Sequence, residues 1–292
     1  MSSKEIPQEL SSIDVVMCSC NSNKSWFRRC LKSIRREIPV HCFILVDYFS
    51  TDDTLKVVKE HFSNVKLVST DAKLGPARKM GIQLVDKPWF VFLDDDIELS
   101  EGWYSKVTSY IENGIGAVIG FPIETNPAWE KYSSLIINEK NAKRFMVVDK
   151  NSPEMVRGLT CNTLCQKEAV RDWMPPADLA AYEDYHLLRH VVRKGFRWIS
   201  TSDANCRHHG EFSLEITYKK AKWNGAGARV VGATSLWKLV RKTSFVGRKG
   251  LWGSLRIRNP LLMLLLLAEH VGTLVGYLGW SRYTSSYINA RK

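Results

Sequence analysis

Three consecutive carboxylates, Asp94, Asp95 and Asp96, follow directly on the apolar run at 89–93. Such a run, rich in aromatic and branched side chains, is typical of a strand buried on both faces of a parallel sheet. Open α/β sheets bind ligands at the carboxyl ends of their strands, where these carboxylates lie. Divalent cations that hold substrate phosphates commonly use one or two such groups. The segment indicates a metal–phosphate site, with an acidic strand-to-helix turn as the structural alternative.

Side-chain alternation divides the three aspartates, provided that the strand continues through them. Successive side chains of a strand point to opposite faces. Asp94 and Asp96 would then point to one side of the strand and Asp95 to the other. On this argument, Asp94 and Asp96 converge on the site, and the role of Asp95 stays open.

Two further polar pairs lie downstream, Glu183-Asp184 and His208-His209. An acidic pair at the start of a predicted helix commonly complements the helix dipole. A histidine pair at the end of a predicted strand is more often structural than metal-binding. Neither pair identifies chemistry on its own, so both depend on the elements that position them.

The elements up to Gly120 alternate between strand and helix signals with short connections. Apolar runs predict strands, and apolar residues at helical spacing predict the helices between them. The alternation predicts a parallel sheet with right-handed crossovers. The predicted strands are 13–18, 41–46, 65–69, 89–93 and 116–121, and the predicted helices are 24–36, one following the Asp53 cap, one opened by Gly75-Pro76, and 102–111.

The segment from 121 to about 155 has no regular periodicity. Residues 157–166 predict a strand or hairpin, and 168–173 a short helix. A helix over 182–194 ends at Gly195, as glycine after a helix commonly does. A strand over 196–200 then leads into the two histidines.

The composition points to an anionic partner. The net charge is +12, whereas the hydrophobic and charged fractions are ordinary for a globular protein. The seven cysteines show no Cys-x-x-Cys spacing, which favours reduced thiols in a cytosolic compartment over disulfides or zinc. The first ten residues lack the apolar segment of a signal peptide.

The chain beyond Glu215 changes character. Residues 219–258 contain eleven Lys or Arg and no Asp or Glu, interleaved with Leu, Val and Trp. This pattern is typical of a helix that lies in a membrane interface. Residues 261–280 have the length of a membrane span, about 20 residues, but Glu269 lies in the middle. We expect a monotopic attachment; the alternatives are a single span and a helix buried in the protein or in an oligomer. The apolar interleaving argues against a nucleic-acid partner.

The chain resembles the family 2 glycosyltransferases of the GT-A fold. The resemblance rests on seven segments in the family's order. They are VVMCSCN at 15–21, CLKSI at 30–34, VDYFSTDDT at 46–54, GPARKMG at 75–81, FLDDD at 92–96, EDYHLLR at 183–189 with Gly195, and ANCRHHG at 204–210.

The resemblance implies an inverting transferase that takes a sugar from a nucleotide-diphosphate-sugar. It implies Mn²⁺ or Mg²⁺ as the cofactor, because a metal neutralises the departing diphosphate without proton transfer. By the same resemblance, Asp96 is the direct metal ligand, Asp94 faces the metal shell or the ribose, and Asp95 acts through a water. His208 is the expected third protein contact to the metal, with His209 as the alternative.

Asp184 is the expected general base, since the acceptor hydroxyl must lose its proton as it attacks. On the donor side the resemblance places Cys18, Asn21, Asp47 and Arg78 at the nucleotide-sugar. An exposed helix arginine is the alternative for Arg78.

The sequence departs from the family where Tyr48 and Phe49 replace the usual Asp or Asn and Gly, so UDP-linked and GDP-linked donors both stay open. The acceptor loops have no diagnostic spacing, although Glu124, Trp129, Arg157 and Asn162 lie where such loops are expected.

These expectations divide the chain into a GT-A catalytic domain at 1–212 and a C-terminal helical, membrane-associating region at 213–292. The nucleotide-sugar half covers about 13–121 and the acceptor half about 122–212. The basic tail suggests an acceptor such as a polyprenyl or dolichyl phosphate or a lipid-linked glycan, at the cytosolic face of an anionic membrane. The alternatives are a nucleotidyltransferase acting on a phosphate-bearing substrate and a non-catalytic basic membrane-binding module.

Overall fold

A computed structural model describes residues 7–125, 145–152, 157–211 and 213–281, with the backbone alone at 243–247 and 249. Within these ranges the strands form one nine-stranded sheet. They are β1 Ile13–Ser19, β2 Val40–Asp47, β3 Val65–Ser69, β4 Trp89–Asp94, β5 Ile97–Leu99, β6 Ile115–Glu124, β7 Met146–Val148, β8 Asn162–Gln166 and β9 Arg197–His208. The helices are α1 Phe27–Glu37, α2 Thr54–His61, α3 Leu74–Gln83, α4 Trp103–Thr108, α5 Lys167–Val170, α6 Glu183–Arg193, α7 Leu214–Val230, α8 Leu236–Ile257 and α9 Leu261–Leu278.

The first half of the sheet is parallel, in the order β3-β2-β1-β4. β1, β2 and β4 are largely buried on both faces, as their continuous apolar runs predict, whereas the edge strand β3 is partly exposed. Cys18 pairs with Val46 on one side and with Asp94 on the other. The register therefore brings the carboxyl ends of β1, β2 and β4 together at one edge.

The second half of the sheet is mixed. The five predicted strands, β1, β2, β3, β4 and β6, all run in the same direction, but an antiparallel strand that was not placed in the predicted order lies between the last two. β8 lies between β4 and β6 and is antiparallel to both. Residues 162–165 are buried, so this short strand fills the centre of the sheet. β9 runs well beyond the predicted 196–200 and pairs in parallel with β6.

The C-terminal helices pack on one another through glycines. A Cβ on Gly276 of α9 would lie 1.9 Å from the Lys222 carbonyl oxygen of α7, and one on Gly225 would lie 2.0 Å from the Thr273 carbonyl oxygen. A Cβ on Gly227 of α7 would likewise lie 2.3 Å from the carbonyl oxygen of Ala181, just before α6. The absence of side chains at these positions lets α7 lie against both α9 and the entrance to α6.

One helix in the described part of the chain, α9, is long and apolar enough to cross a membrane. Its mean hydropathy is 1.8, and 39% of it is buried inside the protein. Length and composition alone do not separate a span from a helix packed on its neighbours.

Candidate active site

Asp96 and His208 meet because of strand pairing. β4 ends at Asp94, residues 95–96 form a turn, and β5 then pairs with β9 so that Ile97 lies opposite His208. The strand alternation expected for the three aspartates therefore stops at Asp94. The turn, together with the β5–β9 pairing, brings Asp96 to the histidines.

His208 lies between two carboxylates. Its Nε2 is 3.2 Å from Asp96 Oδ2, and its Nδ1 is 2.8 Å from Glu124 Oε1. Burial lowers the pKa of His208, but Asp96 and Glu124 raise it well above the usual value. Burial likewise raises the pKa of Asp96, whereas His208 lowers it, and the net shift is downward.

The group suits a divalent cation. Asp96 Oδ1 is buried and has no hydrogen-bond partner. Metal-bound histidines commonly donate their second ring N–H to a carboxylate, the position that Glu124 occupies. His209, the alternative ligand, instead places Nε2 2.7 Å from Glu98 Oε2. The geometry favours His208 over His209 as the ligand. Glu124 is a partner that the sequence placed only loosely, among the acceptor loops.

Arg78 links the first aspartate to the start of α6. Its Nη2 donates to Asp94 Oδ1 at 2.8 Å, and its Nε lies 3.3 Å from Glu183 Oε1. The side chain is 2% exposed, which excludes the alternative of an exposed helix arginine. Nε and Nη1 have no hydrogen-bond partner. The predicted contact of Arg78 with a diphosphate stays a prediction, and the observed contact is with the carboxylate of Asp94.

Hydrogen bonds from polar side chains connect the loop after β1 to the loop after β2. Asp95 Oδ2 accepts a hydrogen bond from Ser22 Oγ. Asn21 has a φ of 49°, a conformation that asparagine tolerates better than most residues. Its Oδ1 accepts from the Thr51 backbone N–H at 2.8 Å. Asn21 and Asp95 therefore shape the loop that borders the carboxyl edge of β1.

Asp47 lies buried beneath these loops. It accepts hydrogen bonds from Ser19 Oγ at 2.8 Å and from Ser50 Oγ and N–H at 2.6 and 2.8 Å. The carboxylate thus positions both loops. Its direct contact with a nucleotide stays a prediction.

A small cavity of about 20 Å³ lies beside this edge, lined in part by Cys18, Tyr48, Thr70 and Ala77. Phe49, next to Tyr48, is 59% exposed. It has a φ of 46°, which is uncommon for a bulky residue. Phe49 therefore combines a strained backbone with an exposed ring, at the position where the family resemblance leads us to expect a glycine.

Asp184 lies in the first turn of α6, buried and paired. Arg157 Nε donates to its two carboxylate oxygens at 2.9 and 3.2 Å. Arg157 also stacks over the Tyr182 ring, with the guanidinium carbon 4.2 Å from the ring centre. Burial raises the pKa of Asp184. The arginine that holds this carboxylate comes from a segment in which the sequence offered no spacing signal.

Glu183 also holds its proton more tightly than an ordinary glutamate. Burial first, and then the neighbouring charge of Asp184, raise its pKa to about 7. Glu183 therefore exchanges a proton near neutral pH, and burial shifts the pKa of Asp184 in the same direction.

Asn162 and Trp129 are the other two residues expected near the acceptor loops. Asn162 is buried in the core, where its Oδ1 accepts from Trp103 Nε1 at 3.3 Å. Trp129 lies outside the described residues.

A second carboxylate–histidine group lies at the opposite edge of the sheet. Possible ligand atoms of Asp14, His41 and Asp86 all lie within 4.8 Å of one another. However, Asp14 Oδ2 already accepts the backbone N–H groups of Asp86 and Lys87, and Lys66 Nζ lies 2.6 Å from Asp86. These partners account for the group structurally, so it is distinct from the site around Asp96.

Comparison with known proteins identifies the architecture. The model of glycosyl transferase family 2 matches residues 14–173, more than half of the chain. No curated protein sequence matches significantly.

Three similar solved structures share the fold. One is S. aureus TarS 1-349, at 14% identity and a TM-score of 0.54, covering 92% of this chain and 91% of that chain. Glucosyl-3-phosphoglycerate synthase from Mycobacterium tuberculosis, with Mn²⁺, UDP and glucosyl-3-phosphoglycerate, shows 15% identity and a TM-score of 0.54 over 79% and 84%. A mannosyltransferase from Pyrobaculum calidifontis, with GDP-Man and Mn²⁺, shows 14% identity and a TM-score of 0.54 over 94% and 75%. The expected α/β fold of GT-A type is confirmed.

Proposed function

We propose, from the premise that the chain belongs to glycosyl transferase family 2 and is a glycosyltransferase, that it is an inverting, metal-dependent enzyme acting at a membrane. The donor is a nucleotide-diphosphate-sugar, and the acceptor is a hydroxyl or phosphate group, carried by a lipid. The observation that carries the proposal is the arrangement of Asp96, His208 and Glu124 at the carboxyl edge of the sheet.

Asp96 and His208 would hold Mn²⁺ or Mg²⁺, with Asp94 at the edge of the metal's coordination sphere. A metal held there would neutralise the charge that develops on the departing diphosphate. The unpartnered Asp96 Oδ1 and the Glu124 carboxylate behind His208 support this assignment.

The donor nucleotide would lie along the ends of β1 and β2. Cys18 lines the cavity there, while Asn21, Asp47 and Asp95 set the shape of the surrounding loops. Arg78 would act through Asp94, whose orientation it fixes. The similar solved structures carry UDP in one case and GDP-Man in another, so either base suits the proposal.

Asp184 would accept the proton of the acceptor hydroxyl as the oxygen attacks the anomeric carbon. Burial raises the pKa of Asp184, which makes this carboxylate a stronger base than an exposed aspartate. Attack from the side opposite the leaving diphosphate inverts the anomeric centre.

The C-terminal region, 213–292, would attach the catalytic unit, 1–212, to the cytosolic face of an anionic membrane. On α8, Trp237, Val240, Leu251 and Leu255 are exposed among lysines and arginines. Exposed apolar side chains bordered by cations suit a monotopic attachment to anionic lipid.

The test is product analysis with UDP- and GDP-sugars in the presence of Mn²⁺ or EDTA. Release of nucleoside diphosphate that EDTA abolishes is expected. Release of pyrophosphate would instead indicate nucleotidyl transfer, and no turnover with any donor would indicate a binding module.

A further inference from the structure

A cleft of about 480 Å³ opens beside His208, between the end of β9 and the C-terminal helices. Its lining includes Glu124 and His208 from the candidate metal site, Lys220 and Asn224 from α7, and Leu266 and Glu269 from α9. The cleft therefore joins the candidate metal site to the region beyond the sheet.

The two helices turn one face each toward this cleft. On α7 the lining residues Thr217, Lys220 and Asn224 are spaced by three and four positions, so they share a helix face. On α9, Leu266 and Glu269 are three residues apart. The close glycine contacts between α7 and α9 fix these faces in register.

Glu269 lies on the side of α9 that lines the cleft. Its side chain is exposed on an otherwise apolar helix and lines the cleft. Leu264, Val271 and Leu278 are also exposed and recur every seven residues, on a face roughly 160° away from Glu269 around the helix. α9 therefore offers an apolar stripe on one side and a carboxylate to the cleft on the other.

Helix α7 connects the cleft to the surroundings of the expected base. It lines the cleft at 217–224, and its Gly227 packs closely against Ala181, just before α6. Burial is the main cause of the raised pKa of Tyr182; Arg157 lowers this pKa, and the charges of Asp184 and Glu269 raise it further. Tyr182 immediately precedes Glu183-Asp184, and its ring lies under the Arg157 side chain that holds Asp184. A group bound in the cleft would thus lie between His208 and the surroundings of Asp184.

The part of the cleft beyond the candidate metal site carries more negative than positive charge. Glu211 and Glu269 line it, against one lysine, Lys220, whereas Glu124 is paired with His208. A phosphate placed in this part would meet two like charges and one opposite charge, whereas neutral hydroxyl groups donate hydrogen bonds to carboxylates and accept them from lysine and asparagine.

We infer that this cleft is the acceptor site and that it takes a neutral, hydroxyl-bearing saccharide rather than a phosphate. The inference rests on the proposed function and narrows it to a sugar acceptor. In the transfer, the acceptor oxygen forms a bond to the anomeric carbon of the donor sugar. The bond from that carbon to the diphosphate oxygen breaks, its electron pair leaves with the nucleoside diphosphate, and the hydroxyl proton passes to Asp184.

The test uses the full chain in detergent micelles with the nucleotide-sugar that gives metal-dependent diphosphate release. Acceptors are decyl glycosides with different terminal sugars, compared with decyl phosphate of the same chain length. Transfer to at least one glycoside and none to the phosphate is expected. Glu269→Gln should raise the glycoside KM about tenfold or more, because a hydrogen bond to a charged group is lost, with the donor KM unchanged.

Glu215→Gln is the matched control, since Glu215 is an exposed α7 residue paired with Lys219 and is not part of the cleft lining. It should leave the glycoside KM unchanged. Transfer to decyl phosphate as efficient as to any glycoside, or equal effects of the two substitutions, would overturn the inference while leaving the glycosyltransferase assignment standing. Absence of diphosphate release with every donor and acceptor would instead reject the proposed function, and the inference with it.

Discussion

The imidazole of His208 places Nε2 3.2 Å from Asp96 Oδ2 and Nδ1 2.8 Å from Glu124 Oε1. Asp96 immediately precedes β5, and the antiparallel pairing of β5 with β9 puts Ile97 opposite His208. Glu124 comes from the end of β6, opposite His208 in the parallel β6–β9 pairing. The pairing of β5, β9 and β6 therefore positions the candidate ligand Asp96, the histidine His208 and the Glu124 carboxylate beside it.

Glu124→Gln should weaken Mn²⁺ binding about 10- to 100-fold, because the carboxylate that orients His208 is lost. Calorimetric titration of the purified protein with Mn²⁺ measures this directly. Glu112→Gln is the control, since Glu112 forms an exposed ion pair with Arg197 away from the site. Equal affinity in wild type and Glu124→Gln would rule out the orienting role.

Asp184→Asn should lower kcat by about 10²- to 10⁴-fold, the usual contribution of a positioned general base. The amide keeps the size of the side chain but cannot accept the acceptor's proton. Donor binding, measured by thermal stabilisation with the nucleotide-sugar, should stay intact. Turnover at the wild-type rate would show that another group removes the proton.

Activity should fall as the pH drops below about 7, the pKa to which burial and Asp184 raise Glu183. The sign follows because protonation of Glu183 removes the negative charge next to the base Asp184, which leaves Asp184 less basic. Glu183→Gln removes a like charge next to Asp184, so the acidic limb of the kcat/KM profile should move to lower pH. A limb that stays in place in this variant would place the titrating group elsewhere.

Arg78→Met should lower the free energy of unfolding by about 3–5 kcal/mol, the typical cost of breaking a buried ion pair by removing one partner. The substitution leaves Asp94 and Glu183 without their shared cation. Arg28→Met, which removes an exposed surface pair with Glu60, should have a much smaller effect because solvent screens that pair. Urea unfolding of the two variants compares them, and similar costs would show that Arg78 contributes little to the fold.

Trp237→Ser should weaken binding to anionic vesicles about tenfold, which corresponds to roughly 1.4 kcal/mol of lost apolar burial. Trp237 is 68% exposed on α8. Leu67→Ser, at an exposed apolar position on β3, is the control. Vesicle co-sedimentation at low and high salt also tests the cationic part, since screening should weaken binding. No difference between the two variants would exclude α8 as the attachment surface.

The first half of the fold could be predicted from the sequence because each strand there is a continuous apolar run. The runs ending at Asp47 and Asp94 bring both aspartates to one edge, as parallel strands require. β8 was harder to place because four buried residues carry too little pattern to fix their neighbours. Its antiparallel insertion makes the second half of the sheet mixed, although β4 and β6 on either side of it run parallel, as predicted.

The candidate site, like the fold, could be predicted from the sequence only in part. The family resemblance identified Asp96, His208 and Asp184, but their partners Glu124 and Arg157 had no diagnostic spacing. Those contacts depend on long-range strand pairing and on the approach of α6 to the sheet. The division of labour among the three aspartates also could not be derived from alternation, since β4 ends at Asp94 before the turn at 95–96.

The most direct test of the account compares wild type with Asp96→Ala in metal-dependent release of nucleoside diphosphate from UDP- and GDP-sugars. Mn²⁺ should activate the wild type with one donor class, and EDTA should abolish release. Asp96→Ala should lose both Mn²⁺ binding and release while staying folded by circular dichroism. Unchanged, Mn²⁺-dependent release in Asp96→Ala would contradict the central claim that Asp96 holds the metal at this edge of the sheet.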